Sequence, residues 1–214
     1  MDTNENIVIS LGDDCAVANI IGNVYMPFDW CLTKNLTSII KIFDDDFEEF
    51  TNWNNWNYDS KKIYDKYLKI DDTKDNIIYD KIIKTHLLIY TPANDIKYPH
   101  DITVDNAESD FEEFKNKMKR RTSRLRKIPA NNRIFYRYES NAIKNITIEN
   151  VENILKHCKQ FKIWINPNEY NRFIKSPDKR SSKLQKYIDD KTFQIMIDEN
   201  WQSHGGWQKK LNLF

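Results

Sequence analysis

The fold is indicated first by the stretch Ile7-Val8-Ile9-Ser10-Leu11-Gly12-Asp13-Asp14-Cys15. Its first five residues form a short, largely β-branched run that ends at Gly12, which predicts a buried strand. One of the two aspartates can cap a helix that begins near the cysteine and stops at Gly22-Asn23. Because a helix start follows the strand after a tight loop, we expect unpaired N–H groups and a positive dipole end just beyond the sheet.

Strands and helices also alternate in the C-terminal half of the chain. Apolar runs predict strands at residues 133–138, 161–165 and 193–197, with helices at 147–158 and 182–188 between them. Earlier periodic segments predict two helices and one strand, at residues 35–50, 107–127 and 86–90. Such alternation is typical of crossover connections, so we expect an open, mainly parallel, Rossmann-like α/β sheet of about four or five strands with flanking helices. We expect a single domain over residues 1–214.

Charge and composition restrict the classes of partner. The 214 residues include 33 Lys and Arg against 32 Asp and Glu, a formal charge of +1, and 40% are hydrophobic. A core can therefore form, while the overall positive charge of a nucleic-acid-binding protein is missing, so we expect no nucleic-acid partner. A local basic run over residues 115–127 follows an acidic stretch, as helix dipoles favour. This run is either a solvated helix face or an RNA- or phosphate-binding face.

The N-terminus, the cysteines and the histidines provide the evidence on localisation and cofactors. Residues 1–6 are unlike a secretory signal, and no apolar run approaches the roughly 18 residues that span a bilayer. We therefore expect a cytoplasmic protein, no membrane partner and reduced thiols. The spacing of the three Cys and four His does not suit zinc, and no Gly-rich phosphate loop is present. We expect neither a metal nor a cofactor.

Ligand-binding residues are expected at one edge of the sheet. In open α/β sheets, ligands bind beyond the carboxyl ends of the strands. The predicted strands end at residues 12–15, Glu139-Ser140, Asn166 and 198–200. These positions are therefore candidates for a binding site.

Cys15 is the residue at this edge with a distinctive chemistry. A thiol at a helix N-terminus has a lowered pKa, because N–H groups and the dipole stabilise the thiolate. Asp13 and Asp14 act in the opposite direction, since nearby carboxylates disfavour a second negative charge. An imidazolium would have to outweigh them, and His100 and His204 are the two candidates. Without such a partner, Cys15 would be a packed or pocket-lining residue.

Four short motifs together resemble a known family. They are Ile9-Ser10-Leu11-Gly12-Asp13-Asp14-Cys15, Pro27-Phe28-Asp29-Trp30, Pro99-His100-Asp101 and Arg133-Ile134-Phe135-Tyr136-Arg137-Tyr138-Glu139. Their order and combination resemble the signature of the domain family named "putative papain-like cysteine peptidase". Members of that family occur in bacteria and large DNA viruses, so a viral source would place the protein in the host cytoplasm. The resemblance spans roughly residues 7–165.

The resemblance implies a role for each matching residue. Cys15 would be the nucleophile, His100 the general base, and Asp101 or Asp29 the orienting carboxylate. Further binding residues are expected at the strand ends and in the motifs: Gly12, Asp13, Asp14, Trp30, Arg137, Glu139 and His204. The implied reaction is hydrolysis of a peptide, acyl or other amide-type substrate by thiol chemistry.

Two other classes of function remain open at this point. The chain could be a glycan- or nucleotide-sugar-processing enzyme that uses the sheet edge, with Cys15 only lining the pocket. It could also be a non-catalytic binding module built on an enzyme fold. The three classes differ in whether Cys15 is hyper-reactive and whether Cys15→Ser abolishes turnover.

Overall fold

The computed structural model describes residues 5–12, 17–18, 25–29, 31–33, 35–59, 86–91, 96–139, 142–176 and 182–197. In this part of the chain the strands are, in order, β1 (Ile7–Ser10), β2 (Leu32–Thr33), β3 (Asn57–Asp59), β4 (His86–Thr91), β5 (Ile96–Thr103), β6 (Arg133–Tyr138), β7 (Gln160–Ile165) and β8 (Phe193–Ile197). The α-helices are α1 (Leu36–Asp44), α2 (Ala107–Arg126), α3 (Ala142–Asn145), α4 (Ile148–Leu155), α5 (Pro167–Lys175) and α6 (Ser182–Asp189). Short 3-10 turns cover Trp53–Asn55 and Ala130–Asn132.

The first and last strands belong to one parallel sheet with the order β1-β6-β7-β8. All three pairings in it are parallel, and helices α3 to α6 lie in the connections after β6 and β7. The predicted mainly parallel α/β sheet with flanking helices is therefore confirmed. The sequence order of the strands also equals their spatial order.

A second sheet was not predicted as such. It is antiparallel, with the order β2-β5-β4-β3, and it lies in the long segment between β1 and β6. Of its strands, only β4 was predicted from the sequence, and Pro99-His100-Asp101 was expected in a loop. That placement is wrong, since these residues belong to β5. Tyr98 and Ile102 of β5 pair with Ile89 and Leu87 of β4. Three residues lie between the first two and only one between the second two, so β5 bulges in this interval. The interval contains Pro99, which lacks the N–H that regular pairing needs.

The helix predicted at residues 35–50 is shorter than expected. α1 ends at Asp44, after which Asp46 and Phe47 adopt left-handed φ angles of 49° and 66°. The Asp45 carboxylate accepts hydrogen bonds from the N–H groups of Phe47 and Glu49, at 3.0 and 3.2 Å. A side chain that binds the backbone in this way competes with helix continuation, which explains the early end.

One buried hydrophobic cluster joins the two sheets. It contains Ile9 and Phe135 of the parallel sheet, Ile89 and Tyr98 of the antiparallel sheet, and Phe114 of α2. A smaller cluster lies on the opposite face of the parallel sheet and is formed by Val17, Tyr136, Tyr138 and Trp164. Among the described helices, none is long and apolar enough to cross a membrane.

Candidate active site

The residues predicted for the site fall into three groups. The structure describes Gly12 and the side chains of Asp29, Asp101, Arg137 and Glu139. For His100 the structure describes the backbone, as part of β5, and not the side chain. The others lie outside the described residues: Cys15, Asp13, Asp14, Trp30 and His204.

Gly12 forms a constrained turn where β1 leaves the parallel sheet. Its φ angle of +77° lies in the left-handed region that glycine adopts without strain. A Cβ atom at this position would lie 2.7 Å from Cys31 Sγ and 2.9 Å from Thr33 Oγ1. The backbone therefore approaches β2 more closely than any other residue would allow.

The carbonyl group before this turn is held by two side chains. Leu11 O accepts hydrogen bonds from Thr33 Oγ1 at 3.1 Å and from the Arg137 guanidinium at 3.2 Å. Arg137 also donates to Thr33 Oγ1 and to Thr33 O, each at 2.6 Å. Since Arg137 is completely buried, these bonds are shielded from water and fix the end of β1 against β2 and β6.

Glu139 neutralises Arg137 and extends the network away from the turn. Its Oε2 accepts from Arg137 Nε at 2.9 Å, and its Oε1 accepts from Asn145 Nδ2 at 2.9 Å. Asn145 O in turn accepts from Asn150 Nδ2 at 2.6 Å. Both charged side chains are fully buried, so they stabilise the carboxyl end of the sheet from inside the protein.

The two motifs that carry Cys15 and His100 both approach β2. Gly12 packs on Cys31 and Thr33, and β5 pairs with β2 through Lys97 opposite Leu32. Because that pairing is antiparallel, β5 runs from Thr33 toward Cys31 and then Asp29 as it proceeds to His100. The Tyr98 hydroxyl follows this direction and donates to Pro27 O.

Asp29 is almost completely buried, with 5% of its surface exposed. Its Oδ2 accepts a hydrogen bond from the Met26 N–H at 2.6 Å, which closes the turn that contains Pro27. Burial raises the pKa of Asp29 to about 6, although the Met26 hydrogen bond and the charges of Arg121 and Arg124 lower it.

Asp101 lies on β5 and forms an ion pair with Lys117 of α2. Burial lowers the pKa of Lys117 to about 8, and the neighbouring arginines Arg121 and Arg120 add to this effect. Asp29 and Asp101 are thus both close to basic residues of α2, while Gly12, Arg137 and Glu139 form a separate group at the end of the parallel sheet.

Val17 marks where the chain continues after the Gly12 turn. Val17 and Ala18 are helical, and Val17 is buried against Tyr136, Tyr138 and Trp164. Gly12 at the carboxyl edge and Val17 over one face of the sheet are therefore the described residues on either side of Cys15 in the sequence.

Sequence reasoning missed a carboxylate at the end of β7. Glu169 of α5 has 7% of its surface exposed, and its Oε2 has no hydrogen-bond partner among the described residues. Its position was recognisable, because Asn166 caps α5 by accepting from the Glu169 N–H at 2.9 Å and Pro167 occupies the first turn. Among the described residues, no three His, Cys, Asp or Glu side chains are close enough together to hold a metal ion.

Comparisons with known proteins agree with the motifs. Residues 6–165 match the model of the family described as "Putative papain-like cysteine peptidase (DUF1796)". An uncharacterized protein of Acanthamoeba polyphaga mimivirus is 25% identical over an alignment 228 residues long, gaps included, which covers 97% of this chain and 94% of that protein. No solved structure matches the chain. Because the family model covers well over half of the sequence, the chain belongs to this family.

Proposed function

We propose that this family member is a cysteine hydrolase in which Cys15 is the nucleophile and His100 is the general base. The observation that carries the proposal is the Gly12 turn. It is locked on Thr33 and Cys31 three residues before Cys15, at the edge of the sheet where α/β proteins bind ligands.

The proposed reaction proceeds in two stages. His100 takes the Cys15 proton, and the thiolate attacks the carbonyl carbon of an amide or acyl substrate. Backbone N–H groups beyond Gly12 would stabilise the oxyanion, and the imidazolium would return its proton to the leaving group. Water then cleaves the thioester, with His100 accepting the water proton, which releases the acid and restores the thiol.

Asp29 is the better of the two candidate orienting carboxylates. Asp101 is already engaged with Lys117, whereas Asp29 Oδ1 accepts no hydrogen bond from a described residue. The direction of β5 also carries His100 toward Asp29 rather than toward Thr33. We therefore assign the orienting role to Asp29 within this proposal.

The pH dependence of iodoacetamide labelling at Cys15, read by mass spectrometry, tests the proposal. We expect Cys15 to titrate well below the roughly 8.5 of a free thiol, and His100→Ala to raise its pKa toward that value. Asp29→Asn should raise it partly, while Asp101→Asn should leave it unchanged.

Two other cysteines provide internal controls in the same sample. Cys31 and Cys158 are buried, and burial raises the pKa of Cys158 to about 12, so both should label only on unfolding. Labelling of Cys15 with the pH profile of a free thiol in both wild type and His100→Ala would overturn the dyad. Turnover of an ester substrate that survives Cys15→Ser would overturn the role of the nucleophile.

A further inference from the structure

A cleft of about 860 Å³ lies between the start of β1 and the C-terminal half of α2. This volume is within the roughly 300–1,000 Å³ that is usual for small-molecule sites. Glu5 and Val8 line the cleft, so it lies at the amino end of β1, whereas Cys15 follows the carboxyl end. The cleft therefore lies at the opposite end of β1 from the Gly12 turn, and Met26 and Arg124 are lining residues that also act on Asp29.

The cleft is lined by side chains of two chemical kinds. One group is aliphatic or thioether in character, and it consists of Ile7, Val8, Met26 and Ile128. The other group is basic and exposed on α2 or just after it, and it consists of Lys119, Arg120, Arg124 and Lys127. Ser123 adds a hydroxyl group beside these charges, and Glu5 is the one acidic residue among the described lining residues.

The basic residues of the cleft differ from three of the four other basic residues on α2, Arg121 being the fourth. Lys115, Lys117 and Arg126 lie outside the cleft, and each forms an ion pair: with Glu112, Asp101 and Asp46 respectively. The four basic residues of the cleft form no ion pair with any described residue. Arg124 donates to Tyr25 O at 2.7 Å and acts on the Asp29 carboxyl through its charge without forming an ion pair with it, and Lys119 lies over the Trp53 ring.

Neutralising the C-terminal end of α2 does not require these four charges. Arg133 already covers that end, because it donates to Leu125 O at 3.4 Å and to Ile128 O at 2.8 Å. Positive charge in the last turn of a helix stabilises its dipole, and Arg126 and Arg124 both lie there, so Arg124 is the one member of the four that this effect also explains. The concentration of unpaired positive charge around an apolar cleft therefore needs another explanation.

We propose that the cleft binds a small phosphate-bearing ligand with an aliphatic portion. Two arginines, two lysines and a serine hydroxyl suit a doubly charged oxyanion, which arginine recognises through paired N–H donors. The apolar part of the lining, among the described residues, contains no aromatic side chain, which suits an alkyl or acyl chain better than a stacked base.

Calorimetric titration of the full chain with butyl, hexyl and octyl phosphate, each below its micelle concentration, tests this inference. We expect saturable one-to-one binding whose affinity rises about fourfold for each methylene that enters the cleft. Inorganic phosphate and hexyl glucoside, which carry only one of the two features, should each bind at least tenfold more weakly than hexyl phosphate.

A charge-matched pair of variants assigns the binding to the cleft. Arg120→Glu/Lys127→Glu should weaken hexyl phosphate binding at least tenfold. Lys144→Glu/Lys183→Glu makes the same change in charge at exposed positions of α3 and α6 outside the cleft, and should bind like wild type. Circular dichroism confirms that both variants are folded.

Three results would overturn the inference. The first is equal weakening of hexyl phosphate binding by both charge variants, and the second is an affinity that does not depend on the length of the alkyl chain. The third is binding of a single-stranded RNA oligonucleotide through Arg120 and Lys127 when no alkyl phosphate binds. Labelling of Cys15 is measured separately, so the two proposals can fail independently.

Discussion

At Asp29, burial and local charge act on one carboxyl group in opposite directions. Removal from water favours the neutral acid, while the Met26 N–H, Arg121 and Arg124 favour the carboxylate. Burial is the larger effect, so the pKa of Asp29 rises from 3.8 to about 6. The folded protein therefore holds a proton on Asp29 at pH values where the unfolded chain has released it.

This shift predicts that stability falls as the pH rises through the pKa of Asp29. The favourable contribution is complete below about pH 3.8 and is lost above about pH 6, because the folded state binds the proton more tightly. About two pKa units correspond to at most about 3 kcal/mol. Asp29→Asn should remove this component from the unfolding free energy measured by urea titration between pH 4 and 7.

An exposed carboxyl group elsewhere in the chain serves as the control for that measurement. Asp105 follows β5 and is exposed, so Asp105→Asn should retain the wild-type pH profile. A profile for Asp29→Asn that parallels wild type would show that Asp29 does not carry the shift.

At the scale of elements, Arg137 and Glu139 decide how three strands meet. Both residues were predicted as binding residues, Glu139 from its position at the end of a strand and Arg137 as part of the motif that precedes it. The structure shows their side chains fully buried, with Arg137 joining β6 to Leu11 and to Thr33 of β2. Because they are buried, these two side chains would contribute to a site by fixing the position of the Gly12 turn.

Breaking this pair is expected to destabilise the protein strongly. Arg137→Met leaves Glu139 buried without its cation, which costs roughly 3–5 kcal/mol. Arg137→Met/Glu139→Gln should cost less than the sum of the two single changes, with a coupling of about 1–3 kcal/mol. Urea unfolding of the wild type, of Arg137→Met, of Glu139→Gln and of the double variant measures that coupling.

A second Arg–Glu pair on the same protein provides the comparison. Arg172 pairs with Glu169 on α5, and its side chain is 67% exposed. Arg172→Met should therefore cost no more than about 1 kcal/mol. If Arg137→Met cost equally little, the buried network would not be what holds β1, β2 and β6 together.

The two sheets differ in how far the sequence predicts them. Strands β6 and β8 were predicted at their observed bounds, because their apolar runs alternate with helices in the pattern of a parallel sheet. Strand β2 has only two residues, and β5 contains Pro99 and the charged residues Lys97 and Asp101, so neither shows strand periodicity. These strands are fixed by pairing with distant residues, which propensity does not record.

The candidate site shows the same limit. Gly12 could be predicted as a turn from the run that precedes it, and Arg137 and Glu139 as residues of a strand end. Their actual partners are Thr33 and Asn145, and the contact between Thr33 and Arg137 spans 104 positions in sequence. Local pattern identifies which residues are unusual, whereas tertiary packing determines what they contact.

At the scale of the whole molecule, the two sheets share one core. Ile163 of β7 and Ile89 of β4 are both fully buried in the same hydrophobic cluster, although they belong to different sheets. The Arg137 hydrogen bonds to Thr33 of β2 cross between the sheets as well. Neither sheet can separate from the other without exposing apolar surface and a buried charge.

This shared core predicts that the two sheets unfold in one cooperative transition. Ile89→Val and Ile163→Val each remove one buried methylene from a different sheet, and each should cost about 0.5–1.5 kcal/mol. Hydrogen exchange by mass spectrometry should then show that either change lowers the protection of β5 and β7 by the same free energy, since global opening limits exchange in both. If Ile89→Val lowered protection only in β4 and β5, the antiparallel sheet would open as a separate unit. The Gly12 turn, which is held by β2 on one side and β6 on the other, would then be lost before the parallel sheet unfolds.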